Sequence, residues 1–142
     1  MAHTLMYLSP FNYTLDAKRR LQQSELAKDE VLALLALANS LSLNFYIRSK
    51  VSAHVSAFQF LELPAPELPS AARRQLAGCA DKLMANPHDV PERAALEVVI
   101  ARELYGLSLD DWRHLTSTFT FGSGATKEEL DEIIRQSLAL WS

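Results

Sequence analysis

Hydrophobic positions follow a helical period along most of this chain, with shorter stretches of alternating character. Residues 31–38 are all apolar, a run that predicts a helix covered on every side at the centre of the core. Ser24 stands where its N-cap is expected, and Asp29 and Glu30 suit its first turns. Beyond Asn39 and Ser40 the pattern turns amphipathic and ends in Phe45, Tyr46, Ile47 and Arg48. After Ser70, an expected helix cap, Ala72, Leu76, Cys79, Ala80 and Leu83 recur at helical spacing. A second stripe of Ala95, Leu96, Val99, Ile100 and Leu104 opens at Pro91 and stops at Gly106. Ser108 with Asp111, and Thr126 with Glu129, have the spacing of capping boxes. The second precedes a helix with Leu130, Ile133, Ile134, Leu138 and Trp141 on one face.

Shorter periods mark the remaining segments. Residues 4–13 read as a short strand entering a turn, and residues 15–23 as a short helix. Residues 51–63, with Val55, Phe58, Phe60 and Leu61, read as a strand. Pro64, Pro66 and Pro69 then impose an extended linker. The expected fold is α+β and predominantly helical, with four or five helices around a central apolar helix and two or three short strands. One domain over residues 1–142 is expected, divided into a strand–helix–strand part at 1–66 and a helical part at 70–142.

Composition changes this picture little. A hydrophobic fraction of 49% with 22% charged residues is that of a globular chain and excludes a disordered one. No charge-free apolar stretch of about 18 residues is present, so no membrane span is expected. The single Cys79 excludes an intrachain disulfide and fits a reducing cytoplasm. The N-terminus lacks the basic start and long apolar run of a signal peptide. The net charge of −3 does not advertise a nucleic-acid binder, so any contact with DNA needs locally clustered cations.

Searching for chemistry removes candidates. His3, His54, His88 and His114 are too widely spaced for the close ligand pairs of a zinc site. Cys79 falls on the apolar face of its helix and reads as a small core residue. Asp81 forms no triad without a placed histidine. The acidic pairs Asp110–Asp111, Glu128–Glu129 and Asp131–Glu132 sit near expected helix starts, where they complement the dipole. No catalytic residue and no metal ligand is assigned.

Two linked motifs carry a family resemblance. The first runs from Leu34 to Lys50, an apolar helix reading Leu-Leu-Ala-Leu-Ala-Asn-Ser followed by Asn44, Phe45, Tyr46 and the basic Arg48. It continues through the turn at Ser52, His54 and Ser56 and the Phe58–Phe60 segment to Leu63-Pro64-Ala65-Pro66. The second is Leu96-Glu97 through Val99-Ile100-Ala101 to Tyr105-Gly106-Leu107-Ser108, extended by Asp110-Asp111-Trp112 and Thr118-Phe119. Together they resemble the C-terminal target-recognition region of bacterial adenine-N6 DNA methyltransferases of restriction–modification systems, type IIG enzymes among them. The resemblance covers roughly residues 30 to 120. It implies a DNA-recognition fragment that follows a catalytic domain, with double-stranded DNA and a methyltransferase domain or subunit as partners. The Asp/Asn-Pro-Pro-Tyr/Phe tetrad of such catalytic domains is missing. Asn86-Pro87-His88 comes nearest, without the second proline or the aromatic. A glycine-rich turn for the methyl donor is also missing, so S-adenosylmethionine would bind elsewhere in a parent enzyme and this chain by itself is not expected to be an enzyme.

The resemblance points to Arg48, Lys50, Ser52, His54 and Ser56 as DNA contacts at a helix end and the following turn. There the cations would neutralise phosphates, and the hydroxyls and imidazole would bond phosphate or base edges. The alternative is a helix end closed by basic residues that offset its dipole. Lys18, Arg19 and Arg20 form a basic triplet able to track a phosphate backbone, or else a solvated face. Arg73 and Arg74, in the first turn of a helix, sit against its dipole and leave room for an anionic partner. A competing expectation is a helical assembly module, pairing with itself or docking a methyltransferase subunit, given the acidic balance and the amphipathic last helix ending in Trp141.

Overall fold

The apolar run at 31–38 forms a helix, but one that lies against its neighbours on one side only. In the computed structural model, which describes residues 11–50, 63–120 and 124–141, α1 spans Lys28–Ala38. Leu32, Ala33, Ala36 and Leu37 are buried, whereas Val31, Leu34 and Leu35 are 37%, 45% and 42% exposed. The expectation of a helix covered all round is therefore corrected. Helices pack through one stripe, and residues i, i+3 and i+4 on the opposite side stay partly open to solvent. Its N-terminus is closed by the Glu30 carboxylate, which accepts from the Ala27 amide at 3.0 Å, and not by Ser24, which belongs to a strand.

The expected helix at residues 15–23 is also corrected. Strands β1 (Phe11–Leu15) and β2 (Leu21–Glu25) pair antiparallel, with Tyr13 opposite Gln23 and Leu15 opposite Leu21. Asp16 decides the outcome. Its carbonyl accepts from the Arg19 amide at 2.9 Å, and its carboxylate accepts from the Lys18 and Arg20 amides at 2.8 and 2.9 Å. Arg19 takes the left-handed conformation at φ 57°. A four-residue turn closed by this bond and followed by a left-handed residue is a common three-residue hairpin connection, with Asp at its favoured first position. A helix here would be short and would have no apolar stripe to bury, so it would be marginal in water.

The helical body is α+β in class only by virtue of this hairpin. Six α-helices are described, against an expected four or five. They are α1, α2 (Leu41–Lys50), α3 (Ser70–Ala85), α4 (Val90–Val98), α5 (Leu109–Ser117) and α6 (Ala125–Leu140). α1 and α2 meet at an angle of 57° across Asn39 and Ser40, where the all-apolar run gives way to the amphipathic pattern. α1 packs mainly on α3, and α4 on α6. Pro69, not Ser70, precedes the first residue of α3, while Asp89 caps α4, its side chain accepting from the Glu92 amide. Ser108 and Asp111 form the expected capping box on α5. Thr126 and Glu129 do not form theirs. α6 starts directly from Gly124, held at φ 57°, and Glu129 instead meets His88 at 3.1 Å.

Between α4 and the turn at Gly106, residues Val99–Leu104 widen into a π-helical stretch. The Tyr105 amide there donates five residues back to Ile100. Successive side chains in this stretch enter different cores. Ile100 packs in a cluster with Leu32, Leu37, Leu76 and Leu96, and Ala101 in a second with Leu41, Trp112, Leu115 and Phe119. Trp112 is fully buried, donates from its indole nitrogen to the Ser137 hydroxyl at 2.9 Å, and stacks on Trp141 with ring centres 5.6 Å apart. The apolar face of α6 thus covers the body's own core. The expected strand at 51–63 falls almost wholly outside the described residues.

Candidate nucleic-acid interface

The residues expected to meet DNA fall in two places, and part of them lies beyond description. Lys18, Arg19 and Arg20 stand at the tip of the β1–β2 hairpin, all exposed. The described side chains of both strands are exposed too, among them Tyr13, Leu15 and Leu21 at 52%, 66% and 66%. Extensive packing between hairpin and helices is absent among the described residues. The tip therefore projects as a two-stranded ribbon. Arg20 is tied down, its guanidinium on the Asp16 carboxylate at 2.8 Å. These bonds, first among them the one from the Arg20 amide, hold the Asp16 carboxyl below its ordinary range. Lys18 and Arg19 make no ion pair among the described residues and point their charge to solvent.

Arg48 and Lys50 occupy the last turn of α2, both exposed. Each lies over an aromatic ring. The Arg48 guanidinium is 5.1 Å from the ring centre of Phe119, and the Lys50 ammonium 5.7 Å from that of Tyr46. Such contacts orient a cation over the ring, and the dipole of α2 favours both positions as well. Ser52, His54 and Ser56 lie outside the described residues.

What aims α2 is a buried carboxylate that the sequence pattern does not single out. Glu97 on α4 is fully buried. It accepts from the Leu41 amide, at the first residue of α2, at 2.9 Å, and from the Arg93 guanidinium at 2.9 Å. Arg93 donates in addition to the Asn39 carbonyl. Burial pushes the Glu97 carboxyl up, while Arg93 and the Leu41 amide oppose the shift. The signal available in the sequence was Arg93 and Glu97 four residues apart on one helix face. The Asn39 side-chain amide bonds locally, donating to the Leu35 carbonyl at 2.9 Å.

Other candidates resolve into structure. Arg73 answers Glu30 at 2.9 Å and Asp29 at 3.3 Å, so its charge is met inside the chain. Burial, reinforced by Glu92, pushes the Cys79 thiol up to about 11, the opposite of an activated nucleophile. Asp131 and Glu132, away from the start of α6, pair with Lys127 and Arg135. Among the described residues no cluster of three or more His, Cys, Asp or Glu could hold a metal, and no single helix is long and apolar enough to cross a membrane. Comparison with known families, curated proteins and solved structures yields no match for this chain.

Proposed function

We propose that this chain is a non-catalytic DNA-recognition module belonging to an adenine-N6 DNA methyltransferase of the restriction–modification type. One observation carries the DNA contact, the projecting hairpin with Lys18 and Arg19 unpaired at its tip among the described residues. A two-stranded ribbon is narrow enough to enter the major groove, and cations at its tip can meet phosphates there. The methyltransferase context rests on the two sequence motifs. Arg48 and Lys50 supply a second cationic point at the end of α2.

The test is titration of the whole chain against random-sequence duplex DNA at low and moderate salt, repeated with Lys18→Ala/Arg19→Ala. Wild-type binding that fades steeply with salt is expected. The variant's log-log salt slope should fall by about 2, close to 1 for each phosphate no longer neutralised. Undiminished binding by the variant removes the hairpin from the interface.

A second reading, a helical assembly module, is favoured by the exposed Val31, Leu34 and Leu35 of α1. Beside them runs a groove of about 150 Å³, lined by Leu35, Ala80, Leu83 and Met84. No DNA binding at low salt, together with a light-scattering mass that grows with concentration, would support it over the first.

A further inference from the structure

The two faces of the β1–β2 ribbon differ in chemistry. Strand alternation sets Tyr13 and Leu15 on one face with Leu21, Gln23 and Glu25, Leu15 lying opposite Leu21 and Tyr13 opposite Gln23. The other face carries Thr14 opposite Gln22, and then Ser24. All of these residues are exposed. Neither the Thr14 nor the Ser24 hydroxyl has a hydrogen bond among the described residues. The Gln22 amide nitrogen reaches the Asp16 carboxylate only at 3.4 Å, a long contact that yields readily to a better acceptor. This second face thus holds uncharged donors and acceptors directly behind the tip cations Lys18 and Arg19.

We infer that Thr14, Gln22 and Ser24 read base edges in the major groove, while Lys18 and Arg19 hold the phosphates beside them. The inference rests on the DNA reading above and names its specificity-determining residues, which neither family motif includes. Charge selects this face. Glu25, the one carboxylate of the two strands, lies on the opposite face, where a phosphate backbone would repel it. Leu15 and Leu21 on that face find only the thymine methyl group as an apolar contact in the groove. The polar face matches the groove instead. A glutamine amide bonds both N6 and N7 of adenine, and serine and threonine hydroxyls meet donors and acceptors alike. Gln22 and Ser24 stand two positions apart on β2, about 6.7 Å along the strand, or roughly two base-pair steps of about 3.4 Å. The face therefore spans a short run of adjacent pairs, with an A·T pair at Gln22.

The experiment begins with selection of duplexes from a randomised pool by the wild-type chain. Anisotropy across a salt series then compares the selected duplex with a scrambled one for wild type, Thr14→Val/Gln22→Met and Gln23→Ala. The double variant keeps side-chain size and loses the bonding groups, whereas Gln23→Ala alters the opposite face. Selection should enrich a motif containing an A·T pair, which the double variant binds on the order of ten-fold more weakly than wild type. Its affinity and salt slope on the scrambled duplex should match wild type, which also shows that the hairpin tip is still presented. Gln23→Ala should keep both. Binding without an enriched motif, or a preference that survives in the double variant, overturns base readout by this face and leaves the DNA reading intact. Equal loss by the double variant on both duplexes, or a preference erased by Gln23→Ala, overturns it as well. Absence of wild-type binding to any duplex overturns the DNA reading itself, and is told apart by that fact.

Discussion

At the residue scale, the most consequential side chain is Glu97, because it is fully buried and bonded both to Arg93 and to the first amide of α2. A buried ion pair is a weak source of net stability, but removing one member strands the other. The two members are unequal. Arg93 keeps 27% of its side chain exposed and could be rehydrated, whereas Glu97 could not. Arg93→Ala should therefore cost about 3–5 kcal/mol at neutral pH, read from urea unfolding. The sign of its pH dependence follows from burial. A carboxyl whose folded pKa is raised above its unfolded value contributes stability at low pH and loses it as pH rises through the folded pKa. Without Arg93 that pKa rises further, so the deficit of the variant should shrink as pH is lowered from 7 towards about 5. A deficit equal at both values would show that Glu97 carries no stranded charge.

At the element scale, the parts legible in the sequence are those in which local chemistry and periodicity agree. Ser108 and Asp111 cap α5 as their spacing demands, and the stripe from Ala95 ends at Gly106, whose φ of 65° suits glycine. The failures share a cause. The run at 31–38 shows that its residues are apolar but not which side meets a neighbour, and the 57° corner at Asn39–Ser40 depends on Glu97, more than fifty positions away. Residues 15–23 contain good helix formers, yet the three backbone bonds that Asp16 organises outweigh propensities of a few tenths of a kcal/mol per residue. Of the candidate interface, the basic triplet and the α2 end were legible as charge. The shape that presents them was not. The hairpin itself yields a prediction. A two-stranded ribbon without a packed face is marginal, so Asp16→Ala should abolish amide protection in residues 12–24 by hydrogen exchange while protection in α3 and α4 is unchanged. In the wild type the Asp16 pKa is lowered, so this protection should hold above the ordinary carboxylate range and fade as pH falls through the lowered value.

At the scale of the whole molecule, the two buried clusters are joined through consecutive residues, Ile100 facing Leu76 and Leu96 in one, Ala101 facing Trp112 in the other. Consecutive residues on a helix point about 100° apart, and the π-helical stretch lies at this junction. A joint of this kind predicts that the clusters unfold together. Leu76 is fully buried and on α3, which belongs to the first cluster, while Trp112 and Trp141 report the second. Leu76→Ala should cost about 2–5 kcal/mol, from the transfer energy of the removed atoms and the cavity left behind. If the joint transmits that cost, the tryptophan fluorescence transition and the far-ultraviolet circular dichroism transition shift to lower urea by the same amount and remain superimposed. A tryptophan transition that stays at the wild-type midpoint while the helical signal is lost earlier would mean two independently stable units. The Glu97 clamp would then fix α2 within a structure able to come apart.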